Sequence, residues 1–138
     1  MRRTAPLLAL ALLASACASA GAGPRPVLSS PCGQDWAHVT ALLGEALDGY
    51  LEGMRKFAAA RDGASTAPAE ARARARAAEW EAAQAPDFLK VCRAFSSEEA
   101  RCVREASSAR ELPGCGLEPL VTSFTDEVVA AFAANPLR

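Results

Sequence analysis

The sequence is poor in the residues and motifs that usually carry catalysis. Its 138 residues include one histidine, His38, and one tyrosine. It lacks a G-x-S-x-G turn, a glycine-rich phosphate-binding loop and a C-x-x-C pair. Those motifs are typical of serine hydrolases, nucleotide-binding enzymes and thiol oxidoreductases. We therefore expect no catalytic site and no cofactor, and we predict that His38 faces solvent on the polar side of its helix.

Positive charge and long apolar segments are also scarce. Once the basic pair at positions 2 and 3 is set aside, 13 Lys and Arg remain against 16 Asp and Glu, a formal charge of −3. A nucleic-acid partner requires a basic face, so we expect none. After the N-terminal 20 residues, no apolar run approaches the roughly 20 residues that span a bilayer.

The N-terminus reads as an export signal. Arg2 and Arg3 precede an apolar run over residues 6–16, and Ala18-Ser19-Ala20 forms an A-x-A cleavage site, so residues 1–20 are predicted to be a signal peptide. Residues 13–17, LASAC, resemble a bacterial lipobox, in which Cys17 becomes lipidated and the new N-terminus. Both mature starts stay open. Residues 21–31, rich in Gly, Pro and Ser, are predicted to be a flexible tether, and residues 32–138 a helical domain.

Apolar residues recur at helical spacing in three long segments, residues 34–61, 69–85 and 118–134. Asp35 is assigned to a face away from the apolar stripe of the first segment, and Trp36 and Trp80 are predicted to be core residues. That first stripe steps by four and three residues through Trp36, Thr40, Leu43, Leu47, Tyr50, Met54 and Phe57. No segment alternates as a strand does. The pattern predicts an all-α fold, a small disulfide-tied bundle with a long antiparallel hairpin, two short helices and a C-terminal helix.

Local signals place the two short helices. Ser96 and Glu99 have capping-box spacing, which predicts a helix start near residue 97. Pro86 predicts the end of the second long helix and a separate helix over residues 87–95. Ser108 and Glu111 repeat the capping spacing and predict a further short turn.

Three arginines lie close together in the sequence of the second long helix and could form a basic patch: Arg72, Arg74 and Arg76. Helical geometry turns Arg74 about 200° away from Arg72, so the three do not share one face. We predict a solvated helix face on which Arg74 pairs with Glu70 and Arg76 with Glu79.

Four cysteines remain in either mature form: Cys32, Cys92, Cys102 and Cys115. Their spacing is not that of a zinc site, and four cysteines in an exported domain favour two disulfides, so we expect no metal. An antiparallel hairpin returns the chain to its starting end, which favours Cys32–Cys92 and leaves Cys102–Cys115. The rival pairing, Cys92–Cys102 with Cys32–Cys115, and buried free thiols remain open.

Part of this cysteine-bearing region resembles a known motif. The pattern C…F/L-S/T-x-E-E-x-x-C-V…L-x-x-C is similar to one in small exported or lipid-anchored proteins of GC-rich Gram-negative bacteria of the myxobacterial type. Its residues here are Cys92, Glu98, Glu99, Cys102, Val103 and Cys115. The resemblance implies a compartment and a style of fold, and no activity.

The sequence supports two main hypotheses for function. The first is a non-enzymatic lipoprotein or secreted protein of the cell envelope, which binds another envelope protein or serves as an accessory subunit. The alternative is a carrier that holds an apolar ligand in a cavity of the helical bundle. An enzyme or thiol-redox protein is a third, which a cleft with converging titratable groups would support.

The lipobox-like segment leads to a direct test. We expect the mature protein purified from its own envelope to begin at a lipidated Cys17, because LASAC ends on the cysteine that such signals modify. Intact-mass analysis measures this. A mature chain that starts unmodified at Gly21 would refute it.

Overall fold

The computed structural model describes residues 30–134, and in this range it contains four α-helices and no strand. The helices are α1 (Pro31–Arg61), α2 (Ala67–Cys92), α3 (Ser97–Glu105) and α4 (Glu118–Ala133), with a 3-10 turn at Leu112–Cys115. The predicted all-α, disulfide-tied bundle is confirmed. The predicted signal peptide, Cys17 and nearly all of the tether lie outside the described residues.

Helix α1 begins three residues earlier than predicted. The Ser30 hydroxyl accepts a hydrogen bond from the Gly33 N–H at 3.0 Å, and Pro31 occupies the first turn, where its missing N–H costs nothing. The buried apolar residues of α1 are Trp36, Val39, Leu42, Leu43, Leu47 and Leu51. The predicted stripe is therefore correct near the start of the helix, where the neighbouring helices cover it.

The far end of α1 departs from the prediction, because Phe57 is 59% exposed. Phe132, the next-to-last residue of α4, contacts the ring of Tyr50 with centroids 5.6 Å apart. Phe57 lies seven residues, about two turns, beyond Tyr50. Helix α4 therefore ends before it can cover this part of α1.

Helix α2 runs through Pro86 without a break, so the predicted boundary at Pro86 and the separate helix over residues 87–95 are wrong. Trp80 and Phe88 lie on either side of the proline, and both pack against Trp36, with ring centroids 6.1 and 4.9 Å away. Two buried aromatic side chains on one continuous helix outweigh the one backbone hydrogen bond that a proline removes.

After α2 the chain turns sharply. Glu99 N–H donates to the Ser96 hydroxyl at 3.1 Å, and Ser96 N–H donates to the Glu99 carboxylate at 2.7 Å. The predicted capping box is confirmed. Past the 3-10 turn, Gly116 has φ 85°, a left-handed conformation that favours glycine, and this allows the chain to enter α4.

The arginines of α2 contact other helices as well as solvent: Arg74 and Arg76 are exposed, as the predicted solvated face requires, and Arg72 is half-buried. Arg72 donates to two backbone carbonyls in the last turn of α4, at 3.2 and 3.3 Å. Arg74 pairs with Asp48 on α1 at 2.7 Å, and not with Glu70. Long guanidinium side chains reach adjacent helices, which a pattern read along a single helix does not show.

Arg76 makes one predicted contact and one that was not predicted. It pairs with Glu79 at 2.9 Å, as expected, and with Glu127 of α4 at 2.7 Å. The hydrogen bond from Arg76 holds the pKa of Glu127 below its ordinary value. Trp80 adds a buried link between the same helices, since its indole N–H donates to the Ser123 hydroxyl at 2.9 Å. No helix among residues 30–134 is long and apolar enough to cross a membrane.

The unbroken course of α2 yields a stability prediction. Pro86 is exposed inside the helix, so Pro86→Ala restores a backbone donor without disturbing the core. We expect the free energy of unfolding to rise by roughly 1–3 kcal/mol in urea denaturation. Ala83→Pro, at an exposed position of the same helix, is the matched control and should lower it by about 3 kcal/mol. A loss of stability in Pro86→Ala would show that the ring itself is needed.

Candidate functional site

Both disulfides lie at the end of the bundle where α1 begins. Cys32–Cys92 joins the first turn of α1 to the last residue of α2, with Cα atoms 5.8 Å apart. Cys102–Cys115 joins α3 to the 3-10 turn, with Cα atoms 5.4 Å apart. This is the pairing that the hairpin argument predicts, and not its rival. Disulfides of this kind indicate an oxidising environment outside the cytoplasm.

Asp35 lies in the middle of this end, and its predicted position away from the core is wrong. It is 2% exposed and receives two hydrogen bonds from Arg104, at 2.9 and 3.3 Å. Cys92 Sγ lies 3.8 Å from one of its oxygens. The hydrogen bond with Asp35, aided by its charge, raises the pKa of Arg104 above its ordinary value. Asp35 lies three residues after Cys32, so the two side chains share one face of α1. This spacing was the sequence signal that could have placed Asp35 next to the Cys32–Cys92 bond.

His38 is half-buried, so the prediction that it faces solvent is also wrong. Its Nε2 lies 2.9 Å from the carbonyl oxygen of Ala106, the C-cap residue directly after α3. A carbonyl can only accept, so Nε2 carries the proton and donates. The bond holds the end of α3 against α1. That function does not depend on His38 stays a prediction.

The turn after α3 is held by a carboxylate. Glu111 accepts from the Ser107 N–H at 2.7 Å and from the Ser107 hydroxyl at 2.9 Å. The predicted partner, Ser108, instead accepts from the Glu111 N–H through its carbonyl at 3.1 Å. The Ser107 hydrogen bonds lower the pKa of Glu111. This closed turn places Leu112, which is fully buried, and Cys115 beneath α3.

An apolar groove runs between the end of α2 and the start of α4, with a volume of about 270 Å³. Phe88 and Leu117 are buried in its lining, while Val91 on its edge is 55% exposed. The residues of this apolar groove are Gln84, Asp87, Phe88, Val91, Gly116, Leu117, Pro119, Leu120 and Ser123. Val91 precedes Cys92, and Gly116 follows Cys115, so each disulfide fixes one wall.

Two further surface depressions lie among residues 30–134. One, of about 210 Å³, lies between α1 and α2 beside the Arg74–Asp48 contact. The other, of about 550 Å³, has both Cys102 and Cys115 in its wall, and we refer to it as the charged cleft. Its charged residues are Glu98, Arg101, Glu105, Arg110 and Glu111. No group of three His, Cys, Asp or Glu residues within 30–134 is placed to hold a metal ion.

The buried carboxylate gives a second stability prediction. Arg104→Met leaves Asp35 buried without its cation, so we expect a measurable fall in the free energy of unfolding. Water around the Arg104 side chain, which is 55% exposed, weakens the pair and limits the fall. Arg101→Met, on the same helix, should change stability by less than about 0.5 kcal/mol. Equal effects of the two substitutions would contradict a specific role for the Asp35 pair.

No model of a known protein family, no curated protein and no solved structure matches this chain. What the protein does must therefore be inferred from its own residues.

Proposed function

We propose that this chain is a non-enzymatic module that binds another protein through the apolar groove. The observation that carries the proposal is the exposure of Val91 beside a groove lined by buried Phe88 and Leu117. Apolar side chains that line an open groove gain from excluding water when a partner side chain fills it. A volume of about 270 Å³ suits one or two large side chains of a partner.

The frame of the groove favours binding because it is already ordered. The Cys32–Cys92 bond holds the α2 wall, and the Cys102–Cys115 bond holds the wall that leads into α4. A preformed site loses little conformational entropy on association, so more of the interaction energy appears as affinity.

We place the module in the cell envelope, where the lipobox-like LASAC and the cysteine motif both support an exported, lipid-anchored protein. A lipid on Cys17 would connect to the bundle through the tether at the start of α1, which is the end that carries the groove. The partner is then another envelope protein within reach of the membrane surface.

The carrier hypothesis has less support from the described residues. The rings of Trp36, Trp80, Phe88 and Phe124 pack together where a ligand cavity would lie. The apolar groove and the depression between α1 and α2 both open at the surface, and both are smaller than the roughly 300–1,000 Å³ of pockets that enclose small molecules. Solvent extraction and mass spectrometry of the purified protein test for a bound apolar ligand.

The groove can be tested with two matched valines. Val91 is 55% exposed at the groove, and Val129 is 40% exposed on α4, outside the residues that line it. We expect Val91→Glu to reduce recovery of a bound envelope protein by more than about tenfold. The partner would bury the new carboxylate, and removing that charge from water costs binding free energy. Quantitative co-purification of the full-length, membrane-attached protein measures this.

Val129→Glu is the control and should retain the partner. Helical circular dichroism and thermal unfolding should be the same for both variants, since both positions are at the surface. Equal loss of the partner in the two variants, or retention in both, would show that the apolar groove is not the binding site.

A further inference from the structure

The two disulfides differ in how a reductant can approach them. Both cysteines of Cys102–Cys115 lie in the wall of the charged cleft. One cysteine of each disulfide, Cys102 and Cys32, is half-buried, so the cleft and not residue burial separates the two bonds. The cleft, at about 550 Å³, has room for a small thiol or the tip of a thiol-bearing loop. Neither Cys32 nor Cys92 lines this cleft, the apolar groove or the depression between α1 and α2.

A buried carboxylate lies beside the Cys32–Cys92 bond. Cys92 Sγ lies 3.8 Å from a carboxylate oxygen of Asp35, which is 2% exposed. The species that attacks a disulfide is a thiolate, so a buried carboxylate beside the sulfur repels it. Arg104 offsets part of this charge, but its guanidinium is engaged by Asp35.

The charged cleft contains two guanidinium groups and three carboxylates, a formal charge of −1, so any help to an incoming thiolate comes from the arginines locally. Arg101 and Arg110 line it and form no ion pair with any residue in 30–134. Three carboxylates also line it, Glu98, Glu105 and Glu111, and the last of these is held by Ser107. Thiolates react more readily near guanidinium groups, and Arg101 is the neighbour of Cys102 in sequence.

We propose that Cys102–Cys115 is a site of thiol–disulfide exchange, which a dithiol reductant opens while Cys32–Cys92 stays intact. A thiolate of the reductant attacks Cys102 Sγ, the more exposed sulfur. The S–S bond breaks, its electron pair leaves on Cys115 Sγ, and that thiolate takes a proton from water. The second thiol of the reductant then loses its proton to water and displaces Cys102, which leaves as a thiolate and takes up a proton from water. Both cysteines end as thiols, and the reductant ends as a disulfide.

Opening this bond changes one wall of the apolar groove, and this consequence rests on the proposed function. Cys115 ends the 3-10 turn, and Gly116 and Leu117, which follow it directly, line the groove. Without the bond to α3, the turn keeps the Ser107–Glu111 hydrogen bonds but loses its covalent attachment. The groove wall becomes less ordered, and the partner binds more weakly.

The exchange itself is tested without reference to any partner. The intact protein is treated with a series of dithiothreitol concentrations under native conditions, alkylated and mapped by non-reducing peptide analysis. We expect a species in which Cys102 and Cys115 are alkylated while the Cys32–Cys92 link is retained. Alkylation of Cys32 and Cys92 first, or of all four together, overturns the proposal. The proposal is also overturned if alkylation begins only when the helical circular dichroism signal is lost, because the bond then opens only in the unfolded protein.

A pair of charge reversals tests the role of the cleft. At low ionic strength, Arg101→Glu should slow the reduction of Cys102–Cys115 severalfold, because it replaces a cation in the wall of the same cleft with an anion. Arg61→Glu makes the same change in net charge at the other end of α1 and should leave the rate unchanged. Equal rates in both variants contradict the assigned approach.

A last measurement separates regulation from docking. Recovery of the envelope partner is compared for the oxidised protein and for the species with only Cys102 and Cys115 reduced. A severalfold loss in the reduced species supports control of the groove by this bond. Equal recovery refutes that control while docking stands, and absence of a partner from both forms refutes the proposed function while the exchange site stands.

Discussion

The bond between Cys32 and Cys92 is the constraint on which the other contacts at this end depend. It fixes the first turn of α1 against the last residue of α2. The bond thereby sets the axial position of α2 relative to α1, at which Trp36 contacts Phe88 and Trp80. Helix α4 then packs on α2, and α3 on α1, as additions to a closed pair. A disulfide that spans 60 residues of sequence removes much of the entropy of the unfolded hairpin, by roughly 2–4 kcal/mol. That is a large share of the stability of a small domain.

Local signals predicted the fold where local interactions decide it. The capping box at Ser96 and Glu99 involves neighbours in sequence, so its spacing was sufficient. The start of α1 was missed although Ser30 and Pro31 are also a local signal. Pro86 gave a wrong prediction of a helix end. The backbone hydrogen bond that it removes is outweighed by the packing of Trp80 and Phe88, whose partners lie on other helices.

The candidate site was less predictable because long-range contacts build it. Asp35 and His38 are polar residues early in α1, and only the position of α3 explains why one is buried and the other half-buried. The apolar groove likewise joins Val91 to Leu120 across two helices that are adjacent in space and far apart in sequence. A periodic pattern predicts which side of a helix is apolar, but it does not show where two such sides leave a gap.

Among the four cysteines that follow Cys17, the two disulfides join the first with the second and the third with the fourth. When a chain whose Cys17 is lipidated or removed emerges N-terminus first into an oxidising compartment, Cys92 is the first thiol that Cys32 can meet. Cys102 and Cys115 then arrive with no free thiol left but each other. In a chain oxidised in that order, bonds between successive cysteines give the native pairing directly, so no crossed or nested bond has to be rearranged.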